Sequence, residues 1–479
     1  MPLPWAIAYV ALVGYLLIYL DHVRTLAAYP FDFDQGEGYD LNSGWLIAQG
    51  RPIYTDNASY PYYSSNYPPV FSYLLAAIVS STGPQLAAGR LLSAASAILA
   101  AIVIGACAFR VSGRGALGGL AGLFFVASSY VYHVTPLSRV NATALLIALL
   151  GLAAARCGGL VGALLAAVLF VAALFTKQTM ADAVAAGLLA LFLARRYLGV
   201  LATSLVLVLG GTCWAVLDGT HGGSFFTNAF VGNVNPFSVF QAVAYYRNFL
   251  ETHGILVGLA AFAVYRSARA RSVGAFELYW AASMGLALTV GKWGAGESYF
   301  LAPIAATCIL ATRPLAWALD AGRARPLTKG IVGGLLMLQV VLLAHGPLYA
   351  YAPILADRGA QASVLGRAPG AGDVAEGMRL VARIQKESGP VLAEDPGYAL
   401  AAGRDVVGNA THLRNLHQAG AWDSSALIGD LERRRFAFVI LDAELYPEPV
   451  LAAIGRYYYL YDEFTINDTR QKLFAPGAQ

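Results

Sequence analysis

Charge is scarce in this chain: Asp, Glu, Lys and Arg make up only 13% of its 479 residues, whereas 58% are hydrophobic. A soluble globular protein is about one-quarter charged, so ordinary water-soluble folds are excluded and lipid is the main solvent expected. The 32 basic and 28 acidic residues leave a formal net charge of +4 with no basic stripe, which gives nucleic acid no surface to bind. Cysteine is sparse too. Cys107, Cys157, Cys213 and Cys308 lie in or beside apolar runs without metal-ligand spacing, and they read as small buried hydrophobes. No glycine-rich phosphate loop follows a strand: Gly36-Glu37-Gly38 lacks a third glycine, and Gly118-Gly119 lies inside an apolar run. A nucleotide-linked substrate therefore has no recognisable cradle. There is no internal repeat and no low-complexity tract. The first apolar run, 4–20, lacks a basic flank and a small-residue cleavage site, so it is expected to remain as a membrane helix.

What the chain has in abundance is long hydrophobic runs. A membrane helix needs about 20 mostly apolar residues. On that measure eleven spans are expected, at about 4–22, 86–109, 115–133, 139–155, 158–174, 178–194, 198–217, 250–266, 274–291, 297–312 and 328–347. The run 70–81 follows Pro68-Pro69 and is too short to span; it reads as an interfacial or re-entrant helix. With a cytoplasmic N-terminus, Arg110, Arg114, Arg156, Arg195, Arg196, Arg266, Arg269, Arg271, Arg313, Arg323, Arg325 and Lys329 all fall in inner loops, as the positive-inside rule requires. The expected fold class is mainly α: a polytopic transmembrane helical bundle over 1–350 with a first outer loop at 24–85, then a small soluble α/β domain at 371–479 on the outer side. In that last part amphipathic stretches (374–386, 424–434, 448–456) alternate with strand-like runs at 390–393, 405–407, 436–441 and 472–474. It holds Glu394, Asp395, His412 and His417, but no spacing that specifies a metal or a triad, and reads as a lid or packing domain.

One polar stretch stands against this background. Residues 32–69 concentrate Asp32, Asp34, Glu37, Asp40 and Asp56 between the first two long apolar runs. The topology puts that stretch on the same outer side as Arg139, Thr176-Lys177-Gln178-Thr179, the loop 218–251 and the segment 292–299. Any one of these is equally well an ordinary helix end whose long side chain snorkels to the interface; their collection on one face favours a site. A partly desolvated carboxylate there can act as a general base or hold a divalent cation. An ammonium or guanidinium at headgroup depth, from Lys177, Arg139 or Lys292, would stabilise a phosphate leaving group, with Gln178 adding a hydrogen bond.

These pieces, taken in order, resemble the GT-C superfamily of multi-spanning glycosyltransferases, in particular the bacterial relatives of protein O-mannosyltransferases and of the aminoarabinose transferase that modifies lipid A. The resemblance rests on the acidic first loop, Tyr67-Pro68-Pro69 before a short apolar helix, Arg90 opening the next span, Arg139-Val140-Asn141, Thr176-Lys177-Gln178, and 294–300 before a late span. It implies an enzyme of cell-envelope glycan biosynthesis in the cytoplasmic membrane, with its active site and C-terminal domain extracytoplasmic. That enzyme would move a sugar, with inversion, from a polyprenyl-phosphate carrier to a lipid, glycan or protein acceptor. By the same resemblance Asp34 is the base, with Glu37 as the alternative, and Lys177, Arg139, Arg90 and Lys292 hold the donor phosphate. Asp40, Tyr67, Gln178, Glu297 and Tyr299 face the substrates. No cofactor is specified, although a divalent cation fits the acidic loop. The chain departs from the family pattern at Gln35, where Glu is common, and at Asn141, where Asp is common and would serve a metal. A transporter or flippase of lipid-linked sugars, with Asp182 as its acid inside a span, and a catalytically inactive assembly subunit are the competing classes.

Overall fold

The computed structural model describes residues 3–320, 326–343 and 368–477. Each of the eleven apolar runs carries helix, because in hydrocarbon the backbone N–H and C=O groups have only each other to bond. Among the described residues five helices are long and apolar enough to cross a membrane: Leu3–Ala28, Leu86–Ser112, Arg196–Thr220, Val239–Arg269 and the stretch Glu297–Leu319. The remaining runs are shorter or broken. The run expected at 115–133 divides at Ser128 into Gly115–Ala127 and Ser129–Val134, and the one expected at 178–194 begins as a 3₁₀ turn at Gln178–Met180. The helix expected from 250 instead starts at Val239, since residues 239–250 continue it as an amphipathic extension. Val70–Thr82 has 13 residues, about 20 Å, and buries one face only. Residues 344–367, across which the bundle is expected to join the C-terminal part, lie outside the described residues, as do Arg323 and Arg325.

Small residues set the closest helix approach. A Cβ at Gly118 would stand 2.6 Å from the Gly105 carbonyl oxygen, and one at Gly122 2.6 Å from that of Ala101, so Leu86–Ser112 and Gly115–Ala127 meet backbone to backbone. Cys107 and Cys308 are buried as expected, but Cys157 and Cys213 are exposed. An apolar run packed only on one side leaves its other side to lipid.

The C-terminal part carries a four-stranded sheet of β1 (Val391–Ala393), β2 (Phe438–Leu441), β3 (Tyr458–Ile466) and β4 (Thr469–Pro476), in the order β1-β2-β4-β3. β1 and β2 are parallel, with Ala393 beside Ile440; the other pairs are antiparallel. The strand-like run at 405–407 makes only an isolated bridge from Val406 to Val391. β3, which the sequence pattern did not single out, forms a hairpin with β4 through Asn467 and Asp468. Both have positive φ, at 49° and 61°, as a two-residue hairpin turn demands.

The first polar loop is the floor of this unit. Tyr29 and Phe31 share a core with Leu380, Ile384, Ile440 and Phe464. Tyr62 packs with Leu392, Leu413 and Leu441, and its hydroxyl donates to Asp430 at 2.7 Å. Asp32 ties the two parts together, accepting from the Gly38 N–H and the Gly397 N–H, each at 2.6 Å.

Candidate active site

The acidic loop is shaped by one buried arginine. Arg90, on the first turn of Leu86–Ser112, donates from Nε and Nη2 to the two carboxylate oxygens of Glu37 at 2.8 and 2.7 Å. Its remaining N–H groups reach the carbonyls of Leu26, Tyr29 and Phe31 at 2.6, 2.5 and 2.7 Å. A guanidinium has five N–H donors, and all five are engaged here. Glu37 also accepts from the backbone N–H groups of Ser138, Phe33 and Asp34, at 2.7, 2.9 and 3.3 Å. Burial alone would raise its pKa, but the Arg90 charge and these hydrogen bonds outweigh that and hold it below the usual carboxylate value. The sequence offered Glu37 as an alternative base and Arg90 as a phosphate ligand. The geometry commits them to each other and to the loop backbone, with both side chains fully buried.

Arg139 is the centre of what remains open. Its Nη1 lies 3.4 Å from Asp34 Oδ2 and its Nε 3.5 Å from Asp40 Oδ2. The Tyr67 hydroxyl also bonds to it. Gly36 makes the approach possible, because a Cβ there would land on the Arg139 Nη1. Gly36, between Gln35 and Glu37, thus stands where the guanidinium has to pass. Asp34 is 35% exposed and Asp40 only 7%, so of the two carboxylates Asp34 is the one an incoming group can reach. Burial raises the pKa of both, to about 7 at Asp40, against the lowering pull of Arg139.

Lys177 follows Gly159–Leu174 in the break before the next helix. Its Nζ donates to Asn141 Oδ1 at 2.6 Å and lies 5.1 Å from the centre of the Tyr299 ring, over which Lys292 Nζ stands at 5.8 Å. Two ammonium groups thus flank one tyrosine, and Lys177 feels the charges of Arg139 and Asp40. Gln178 is turned aside, donating to the Ala229 carbonyl at 2.6 Å. Glu297 is buried 3.9 Å from His133 Nδ1, on a different contact from the Lys177 cluster.

The structure therefore gathers Asp34, Asp40, Tyr67 and Arg139 in one group and Lys177, Tyr299 and Lys292 in an adjoining one. Asn141 belongs to the site as the partner of Lys177; the sequence marked it only as a departure from pattern. Gln35, the other departure, reaches the C-terminal unit, with Nε2 donating to the Glu394 carbonyl at 3.3 Å and Oε1 accepting from Thr411 at 3.2 Å. Arg414 from the same unit stacks on Trp293, next to Lys292, at 4.5 Å. Nothing in the local sequence of Arg414 signals this role, which depends on how the unit docks. A divalent cation does not fit these residues: the two carboxylates share Arg139, and Asn141 faces an ammonium. Among the described residues no three His, Cys, Asp or Glu side chains stand together as a metal cage.

No family model and no curated protein sequence matches the chain. Solved structures do. ArnT from Cupriavidus metallidurans bound to undecaprenyl phosphate superposes with a TM-score of 0.60 at 14% identity, covering 100% of both chains. The oligosaccharyltransferase AglB from Archaeoglobus fulgidus, in complex with an inhibitory peptide and a dolichol-phosphate, matches with a TM-score of 0.50 at 14% identity, over 95% of this chain and 73% of its own. The bundle with its C-terminal sheet is the GT-C fold.

Proposed function

We propose that this GT-C chain is a multi-pass membrane glycosyltransferase that moves a sugar from a polyprenyl-phosphate donor to an acceptor hydroxyl or amine on the extracytoplasmic face. The observation that carries the reading is the pairing of a reachable carboxylate, Asp34, with three cationic side chains, Arg139, Lys177 and Lys292, at the end of the bundle that the C-terminal unit covers. Asp34 takes the acceptor proton as the acceptor atom bonds to the anomeric carbon. The bond from that carbon to the phosphate oxygen breaks on the opposite side, and its electron pair leaves as polyprenyl phosphate. Lys177 and Arg139 meet the growing phosphate charge in a site poor in water, where a fixed cation is most effective. Displacement from the opposite side inverts the anomeric centre. Undecaprenyl phosphate bound to ArnT and dolichol-phosphate bound to AglB support a lipid phosphate as the carrier.

The test is a deletion strain complemented with Asp34→Asn. The variant should reach the membrane, bind undecaprenyl phosphate as the parent does, and leave a lipid-linked sugar to accumulate, detected by mass analysis. Accumulation confined to the cytoplasmic leaflet would favour the flippase instead. Normal transfer by Asp34→Asn would remove Asp34 as base.

A further inference from the structure

A polar cavity lies at the seam between the first loop and the C-terminal unit, lined by neither Arg139 nor its partners Asp34 and Asp40. It encloses about 50 Å³ and is lined by Tyr29, Asp32, Asp395, Asp442, Asn467 and Gln471, among others, with no Lys, Arg or His in its wall. That volume holds one ion with about one water.

Three carboxyl groups around such a space must be neutralised by protons or by a cation, and the neighbouring cationic side chains are committed elsewhere. Arg90 is engaged with Glu37 and three carbonyls. On β4 the alternation of side chains turns Gln471 inward, whereas Arg470 pairs outward with Glu463 at 3.7 Å and Lys472 with Glu444 at 2.8 Å. The cavity also holds buried oxygens with no hydrogen-bond partner. Gln471 is 2% exposed; its Nε2 donates to Asp395 Oδ2 at 2.9 Å while its Oε1 has no partner. Tyr29 is 2% exposed and its hydroxyl likewise has none, nor has Asn467 Oδ1. A buried unmatched oxygen is costly, and a cluster of them points to a missing partner.

We propose that this cavity is a structural calcium site. Asp395, Asp442, Gln471 Oε1 and Asn467 Oδ1 supply the ligands, with Tyr29 Oη beside them. Asp32, whose oxygens already accept from Gly38 and Gly397, adds negative charge to the wall. Carboxylates alone do not close a cage here; two carboxylates completed by amide oxygens are a donor set that Ca²⁺ accepts. Mg²⁺ demands a stricter octahedron and retains more of its water than this volume admits. A bound cation would pin β4 and the Asp395 turn to the loop bearing Asp32, two residues before Asp34, and so fix the C-terminal unit over the catalytic group.

The experiment uses the full chain in detergent, stripped with EGTA and dialysed. Thermal unfolding is followed with added CaCl₂ or MgCl₂, and Tb³⁺ luminescence is excited through the cavity tyrosines. Calcium should raise the unfolding midpoint more than magnesium, and Tb³⁺ should bind saturably and be displaced by Ca²⁺. Asp395→Asn and the more exposed Asp442→Asn should each weaken Tb³⁺ binding by about tenfold or more and abolish the calcium-dependent shift. A parent protein whose midpoint does not respond to calcium would overturn the proposal, as would undiminished Tb³⁺ binding by a folded Asp442→Asn variant.

Discussion

Arg90 and Glu37 face each other through two parallel hydrogen bonds of 2.7 and 2.8 Å, both side chains wholly buried, and between them they hold six further bonds to backbone groups. Breaking one partner of such a pair leaves an uncompensated buried charge, at a cost of about 3–5 kcal/mol. Glu37→Gln is therefore expected to lower the unfolding midpoint and the yield of folded protein, ahead of any effect on chemistry. A Glu37→Gln protein with the parent's midpoint and no transfer would return Glu37 to the catalytic step.

Gly36 separates position from stability. Ala at that place must push the Arg139 guanidinium away from Asp34 and Asp40, on a loop whose own fold is fixed by Glu37. Transfer in Gly36→Ala should fall by at least about tenfold, as expected when a positioning contact is displaced by an ångström or so. Its thermal midpoint should stay within a few degrees of the parent. Kinetics and scanning calorimetry on the same preparation check both halves.

The pH profile follows from Asp34. In the proposed role of base Asp34 works ionised, and burial lifts its pKa above the ordinary carboxylate value while Arg139 pulls it back. The specificity constant should therefore rise as pH climbs through that raised value and then level off. Arg139→Gln removes the lowering charge, so the midpoint of the rise should move to higher pH. An unmoved midpoint would mean that another group is titrating.

Asn141 leaves the Lys177 ammonium without a formal counter-ion. In Asn141→Asp a carboxylate would sit 2.6 Å from Nζ and compete with the donor phosphate. Undecaprenyl phosphate binding should weaken by about tenfold, equivalent to roughly 1.4 kcal/mol. Equal affinity in the two proteins would take Lys177 out of the phosphate site.

Orientation is tested by single cysteines in a background carrying Cys157→Ser and Cys213→Ser, the two exposed native thiols. Ala58, exposed in the first loop, and Arg271, exposed at the opposite end of the bundle, are the sites. In intact cells a membrane-impermeant reagent should label Ala58→Cys and spare Arg271→Cys. The reverse pattern would invert the topology and with it the face of transfer.

Much of the architecture was legible along the chain, because hydrophobic runs report burial in lipid one segment at a time. Among the described residues each of the eleven runs carries helix, and the short apolar run after Pro68-Pro69 became the 13-residue Val70–Thr82. The hairpin of β3 and β4 escaped because its turn, Asn467-Asp468, lacks the glycine that usually marks one.

The sequence by itself determined that this is a lipid-embedded helical protein with an acidic first loop and basic helix ends, since composition and period need no partner to be read. It could not divide labour among the acids, which are chemically alike and close in sequence. Only the tertiary structure did so, by supplying each with a different neighbour. Glu37 received Arg90, Asp32 received the N–H groups of Gly38 and Gly397, and Asp34 was left partly exposed beside Arg139. A carboxylate's role is set by which donors desolvate or neutralise it, and apart from Gly38 those donors come from residues 53 to 365 positions away along the chain.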